Sequence, residues 1–413
     1  MKTLNKITVT ALFFIFYSTI SLASTDEDTS KEEAWLLEQA ALLHSEFESQ
    51  GLLYTEPGYE EFLNASITTL AGNNSTLTEP ANIYIIRSVK TDTFSLPNGN
   101  IYLTSGLIAA MENIEDLLSL VAHEFGHLQY GHFVKAFLNG KSKIVDAHTK
   151  DLFTLGLSRA YAEANASISS FSLDQELEAD RFAIRLLESA NYSASSLLNA
   201  LTKINKSPAL SYGNSAIFGT HSISKRIREL SVNESSHRNS NITGSKTNAQ
   251  LEIASKYGRL QKAIFKDNIE AQIRERLYFL TIKQLDSISS DNHELGNLNY
   301  YYAECYKGLY EYPQVAANNN FRHTRAADRL GHDFYAEAIA KRDIHFDKAI
   351  EHYQLTLSSS PIVTNAYKKL GELYEQSGDN LKAINNYEMY LKNSKNALDY
   401  KRFEIKLSRL MSK

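Results

Sequence analysis

Cysteine is almost missing from this chain: one residue, Cys305, among 413. A lone thiol excludes an intramolecular disulfide framework and any cysteine-based structural zinc site. Proline and glycine are sparse as well, 6 and 18 residues, which favours long helices over many short strands. Basic charge is not in excess either. Lys and Arg number 43 against 48 Asp and Glu, a net charge of −5, and no Lys/Arg cluster stands out. A nucleic-acid partner needs a basic face, so that class is excluded. Past the N-terminus no apolar run is long enough to span a bilayer, which takes about 20 residues.

What is present is a folded protein's mixture, 43% hydrophobic and 22% charged, long enough for two or three domains. Lys2 and Lys6 precede an uncharged apolar run from Ile7 to Ile20, followed by Ser21-Leu22-Ala23. A basic start, a short apolar stretch and small residues at the last and third-last positions predict a signal peptide over 1–23, cleaved after Ala23. The lesser alternative is an uncleaved anchor. Cleavage removes two lysines and no acid, leaving an exported chain that is more acidic, with no integral membrane span.

Apolar residues at Trp35, Leu36, Ala40, Leu43 and Phe47 make one stripe of a helix over 34–50. Ile83-Tyr84-Ile85-Ile86 predicts a buried strand. Phe94 to Thr104 predicts a hairpin turning at Pro97-Asn98-Gly99-Asn100. Helices are expected from Glu115 through Phe133, from Asp174 to Ala190 and from Ser193 to Ile204. The first half is therefore an α+β arrangement, mostly helical with a small sheet. Residues 231–247 lack apolar periodicity and are rich in Ser and Asn, the composition of a solvated linker. The predicted organisation is a signal peptide (1–23), a first domain (24–230), a linker (231–247) and a helical domain (248–413).

That last domain repeats. Ala349 and Tyr353 recur 34 residues later as Ala383 and Tyr387, and Tyr367-x-x-Leu370-Gly371-x-x-Tyr374 opens the second unit. Pro361 closes the unit before it. This is a tetratricopeptide pattern, with degenerate earlier units around Tyr302-Ala303-Glu304-Cys305-Tyr306 through Ala316. An ordinary helical bundle is the alternative.

His123-Glu124-Phe125-Gly126-His127 is an H-E-x-x-H sequence within a helical pattern. Residues i and i+4 lie about 40° apart around a helix, so both imidazoles can share a metal, with Glu124 beside them as general base. Two surface histidines are the bland alternative. Zinc catalysis needs three protein ligands and one open position. Glu176-Leu177-Glu178-Ala179-Asp180 supplies acids at i and i+4 of another helix. Glu176 is the expected third ligand, and Asp180 the acceptor of a ring N–H from a ligating histidine. Glu178 points about 200° away, towards solvent. The third histidine of the metzincin pattern is misplaced, since Gly131 and His132 fall four and five residues after His127. A helix continuing to His132 turns it about 140° from His127, so His132 reads as a surface residue or an outer support.

H-E-x-x-H followed by E-x-x-A-D resembles the zinc metallopeptidase family of HtpX and the CAAX prenyl endopeptidases. The resemblance covers roughly residues 80–230 and includes Phe94 to Thr104, Ser105-Gly106-Leu107 and Ala179 to Leu187. It implies a zincin-like domain holding one zinc ion, cleaving proteins or peptides, with an edge strand that takes substrate backbone by strand addition. Ser172-Leu173 stands where the family often has Ser-Arg. Thr220-His221-Ser222 stands where it has Thr-His-Pro, with Arg226 one residue early. His221 is the implied catalytic counterpart, and His221 or Arg226 the oxyanion donor. Were His221 a fourth zinc ligand, the resting site would be closed and latent. A peptidase domain followed by repeats resembles exported members of the family, implying a periplasmic enzyme that degrades or helps assemble envelope proteins. Its repeats would then recruit substrate or the outer-membrane assembly machinery. A chaperone using the repeat groove, with proteolysis secondary, is the competing class. A zinc-stabilised fold without turnover ranks last, because it gives Glu124 no purpose.

Overall fold

The computed structural model describes residues 27–55, 81–111, 113–135, 171–206, 220–236, 246–287, 297–323, 333–359 and 363–412, with isolated positions between them. The expected signal peptide and Pro361 lie outside the described residues. Among the described residues the fold is mostly helical with one small sheet.

Three strands form that sheet: β1 (Asn82–Ile86), β2 (Thr93–Ser95) and β3 (Asn100–Thr104). Their order is β1-β3-β2, with β1 parallel and β2 antiparallel to β3. The β2–β3 hairpin closes where Leu96 N–H donates to Asn100 O and Gly99 N–H to Leu96 O. Gly99 has φ 83°, a left-handed conformation that glycine adopts without a Cβ penalty.

Side chains alternate across a strand, so the sheet sends two sets of residues to two cores. Tyr84, Ile86, Phe94 and Tyr102 meet α1 (Glu27–Ser49), whose Ala40, Leu43 and Phe47 are the buried stripe. The helix thus begins several residues before the apolar pattern. Ile83, Ile85, Ile101 and Leu103 face the opposite layer. That layer holds α2 (Ser105–Ala110), α3 (Ile114–Gln129), α4 (Leu173–Ser189), α5 (Ser195–Lys206) and α6 (Thr220–Ser236). Asn113 caps α3 by accepting from Asp116 N–H, and Ser172 with Gln175 forms a reciprocal capping box on α4. Helix α6 runs to Ser236, six residues into the Ser/Asn-rich stretch.

Helix α7 (Asn248–Arg274) has 27 residues and is about 40 Å long by helical rise. Its N-terminal part, as far as Ile264, packs into the core of the sheet-bearing half through Ile253, Tyr257, Leu260 and Ile264. Its second half, through Phe265 and Ile269, joins Leu285 and Tyr301 of the helices that follow. Chain beyond the predicted linker therefore completes the first core.

The remaining helices are α8 (Tyr278–Asp286), α9 (Leu298–Glu311), α10 (Pro313–His323), α11 (Phe334–Ala340), α12 (Arg342–Ser358), α13 (Asn365–Gln376), α14 (Asn380–Asn393) and α15 (Tyr400–Met411). Ala349, Tyr353, Ala383 and Tyr387 are all fully buried in one cluster. Gly371 lies under the Tyr387 ring, where an added Cβ would meet Cε1 at 2.4 Å. Cys305 is buried between α8 and α10. Between α9 and α12, the rings of Tyr302, His352, Tyr306 and His345 stack in sequence.

The Tyr257 hydroxyl donates to Met111 O at 2.9 Å, tying α7 to the end of α2. Tyr257→Phe is expected to destabilise the sheet-bearing half by about 1–2 kcal/mol, the worth of a buried hydrogen bond. Urea unfolding followed on that half tests this; an unchanged midpoint would detach α7 from its core.

Candidate metal centre

Two helices carry the site. His123, Glu124 and His127 lie on α3, and Glu176, Glu178 and Asp180 on α4. Their close approach has a cause at one glycine. A Cβ on Gly126 would stand 2.8 Å from Ala179 Cα and 3.0 Å from Ala179 O, distances that side chains do not tolerate. Without that Cβ the helix backbones touch, and the ligand side chains of both reach one point.

His123 Nε2 and His127 Nε2 are 3.0 Å apart. Glu176 Oε2 lies 3.5 Å from His123 Nε2, and Oε1 3.8 Å from His127 Nε2. One ligand atom from each residue falls within 4.8 Å of the others, so His123, His127 and Glu176 could hold a metal ion. All three are buried. Two further observations fit a cation there. Two imidazole nitrogens and one carboxylate are a ligand set of catalytic zinc sites. Glu176 Oε2 is also a buried oxygen without a hydrogen-bond partner; Arg226 Nη1 is 2.8 Å away but outside hydrogen-bond geometry.

The strand register places the partner of Glu124. On β2, Phe94 faces α1, so its neighbour Ser95 faces α3, and Ser95 Oγ donates to Glu124 Oε2 at 2.7 Å. Burial raises the Glu124 carboxyl above its ordinary range, while His123 and the Ser95 bond pull it back.

Behind His123, Asp180 Oδ1 lies 2.9 Å from the ring Nδ1. Arg226, on α6 and fully buried, donates from Nε to Asp180 Oδ2 at 2.9 Å and from Nη2 to Oδ1 at 2.6 Å. Burial alone would raise the Asp180 carboxyl; Arg226 and His123 reverse that and hold it at about 2. His123 is pulled down by burial and Arg226, yet Asp180 and Glu176 outweigh both and raise it to about 9. His127 is held well below its usual value by burial, His123 and His132.

His123, Glu124, His127, Glu176 and Asp180, separated in sequence, are thus brought together. His221 lies in the first turn of α6, and its side chain is outside the described residues. Arg226 donates from Nε and Nη2 to Asp180, while its Nη1 has no hydrogen-bond partner. His132 takes the second of the two places the sequence left open, by a route the sequence did not show, and Glu178 differs from the sequence reading. Helix α3 stops at Gln129 and does not continue to Phe133, because Gly131 takes φ 59° in a left-handed cap. The reversal brings His132 back, fully buried, with Nδ1 2.9 Å from His127 Nδ1. Glu178 turns its Oε2 to His132 Nε2 at 3.1 Å instead of to solvent alone. The Tyr130-Gly131 pair was the sequence signal for that helix end. Ser95 and the ring of Phe171, stacked on His127 at 4.1 Å, had no such signal.

Residues 59–234 match peptidase family M48. The resemblance to metallopeptidases holds over that segment. Similar proteins include the beta-barrel assembly-enhancing protease of Yersinia pestis, 26% identical over 168 residues, which are 38% of this chain and 34% of that protein. The beta-barrel assembly-enhancing protease of Escherichia coli K12 is 22% identical over 164 residues, 37% of this chain and 34% of that protein. The chain spans about a third of the length of these curated relatives. Among the described residues, no helix is long and apolar enough to cross a membrane.

Gly126→Ala is expected to part α3 from α4, with a loss of about 1–3 kcal/mol for overpacking. Divalent-metal affinity should fall with it. Urea unfolding and a metal titration of the variant measure both, and wild-type values in each would dismiss the close-approach account.

Ser95→Ala removes the hydrogen bond that orients Glu124. Any peptide cleavage at this site is expected to fall by about tenfold, the worth of one net hydrogen bond, at unchanged metal content. Steady-state kinetics with metal analysis check it.

Proposed function

We infer that the chain is a zinc-dependent endopeptidase of protein or peptide substrates. The observation that carries this reading is the convergence of His123, His127 and Glu176 on one point with Glu124 beside it. A zinc ion held there supplies Lewis-acid polarisation of a peptide carbonyl. Glu124, oriented by Ser95, takes the proton of the attacking water and passes it to the leaving amine. Asp180 keeps His123 turned with Nε2 towards the metal position, and Arg226 holds Asp180. His221 or Arg226, whose Nη1 has no hydrogen-bond partner, is the proposed oxyanion donor.

The domain reading extends this. A signal peptide over 1–23 directs export to the periplasm, and residues 248–413 carry the tetratricopeptide-like helices that recruit substrate or partner. The buried Ala349/Tyr353 and Ala383/Tyr387 pairs support the repeat assignment. Similarity to beta-barrel assembly-enhancing proteases supports a role in degrading or assembling outer-membrane proteins.

Glu124→Gln is the deciding variant. It should keep zinc and lose peptide cleavage by at least about 100-fold, the low end for a positioned general base. Cleavage at the wild-type rate would sink the mechanism. If cells with an envelope-assembly defect are rescued equally by this variant and by wild type, the chaperone role becomes the primary one.

A further inference from the structure

The chemistry above leaves two polar side chains beside the site without a task, His132 and Glu178. We propose that they form a hydrogen-bond relay that fixes the tautomer and ring angle of His127, as positioning residues for the metal. The proposal rests on the zinc-peptidase reading.

Proton placement gives the relay one direction. For His127 Nε2 to offer its lone pair to a metal, Nδ1 must carry the ring proton. That Nδ1 lies 2.9 Å from His132 Nδ1, which must therefore be bare and accept. His132 then carries its own proton on Nε2, 3.1 Å from Glu178 Oε2, a carboxylate acceptor. With both rings neutral, each donor meets an acceptor in this arrangement alone. Reversing either imidazole sets two protons, or two lone pairs, against each other inside the protein. Ring angles are held as well. Phe171 stacks on His127 at 4.1 Å between centroids, and Tyr130 on His132 at 5.7 Å.

The two ligating histidines are thus supported differently. His123 has a carboxylate directly behind it, Asp180 at 2.9 Å. The carboxylate that serves His127 reaches it only through His132. Its side chain is 42% exposed, so the relay runs from the metal position to the protein surface.

The test uses the full chain with zinc ion as the probe, in competition against a chromophoric chelator. His132→Phe keeps the ring and its stacking but removes both nitrogens. It should lower zinc affinity by about 10–100-fold, the usual worth of a ligand's outer partner, while the metal-free protein melts as wild type does. His132→Asn puts an amide oxygen near the place of Nδ1 and should recover most of that loss. Glu178→Ala should weaken zinc binding by about tenfold in the wild-type background and have no effect beside His132→Asn. Zinc affinity of His132→Phe within about twofold of wild type overturns the relay, as does a loss that His132→Asn does not recover. Should His132→Phe fail to fold, unchanged zinc affinity in Glu178→Ala overturns it alone. A wild-type protein that binds no zinc overturns instead the reading on which the relay rests.

Discussion

A guanidinium taken fully out of water is tolerated only when carboxylates meet it with good geometry, and Arg226 imposes that condition on the site around it. Its partners are Asp180, in a two-point contact, and Glu176. Both acids sit on α4, while Arg226 arrives from α6, so one charged cluster locks two helices together. The same acids face His123 on α3. Removing either partner would leave an uncompensated charge in the interior, which costs several kcal/mol. Structural stability and ligand geometry therefore rest on one set of contacts.

The scaffold refines that cluster through simple periodicities. Alternation on β2 gives Phe94 to one core and Ser95 to Glu124, so the strand that packs α1 also holds that carboxylate. Contact of Gly126 with Ala179 sets the distance between α3 and α4. Helix α7 then closes the core from the far side of the Ser/Asn-rich stretch, with Tyr257 bonded to the end of α2.

Features with a local period were legible in the sequence. H-E-x-x-H and the acids of α4 share helical faces, and the Ile-rich strand and the Pro-Asn-Gly-Asn turn announce themselves. What escaped were relations between elements. The position of His132 depended on α3 ending at Gly131, and angular bookkeeping along a continued helix turned it the wrong way. The 200° offset of Glu178 from Glu176 says which way it does not face, and nothing about what waits there. Arg226 and Ser95 act across elements with no fixed spacing. A polar composition over 231–247 predicts a linker, but it carries no information on where the next helix packs.

The close approach of α3 and α4 changes what the five-letter motif means. Phe125 is a core residue and Gly126 touches the neighbouring backbone, so neither unnamed letter of H-E-x-x-H is free here. Nor does the pentad stand alone: the small residue it presses on, Ala179, belongs to the other helix. The transferable unit of this centre is a matched pair of helices, and grafting the pentad onto another scaffold without that pair would carry the ligands and lose their meeting point.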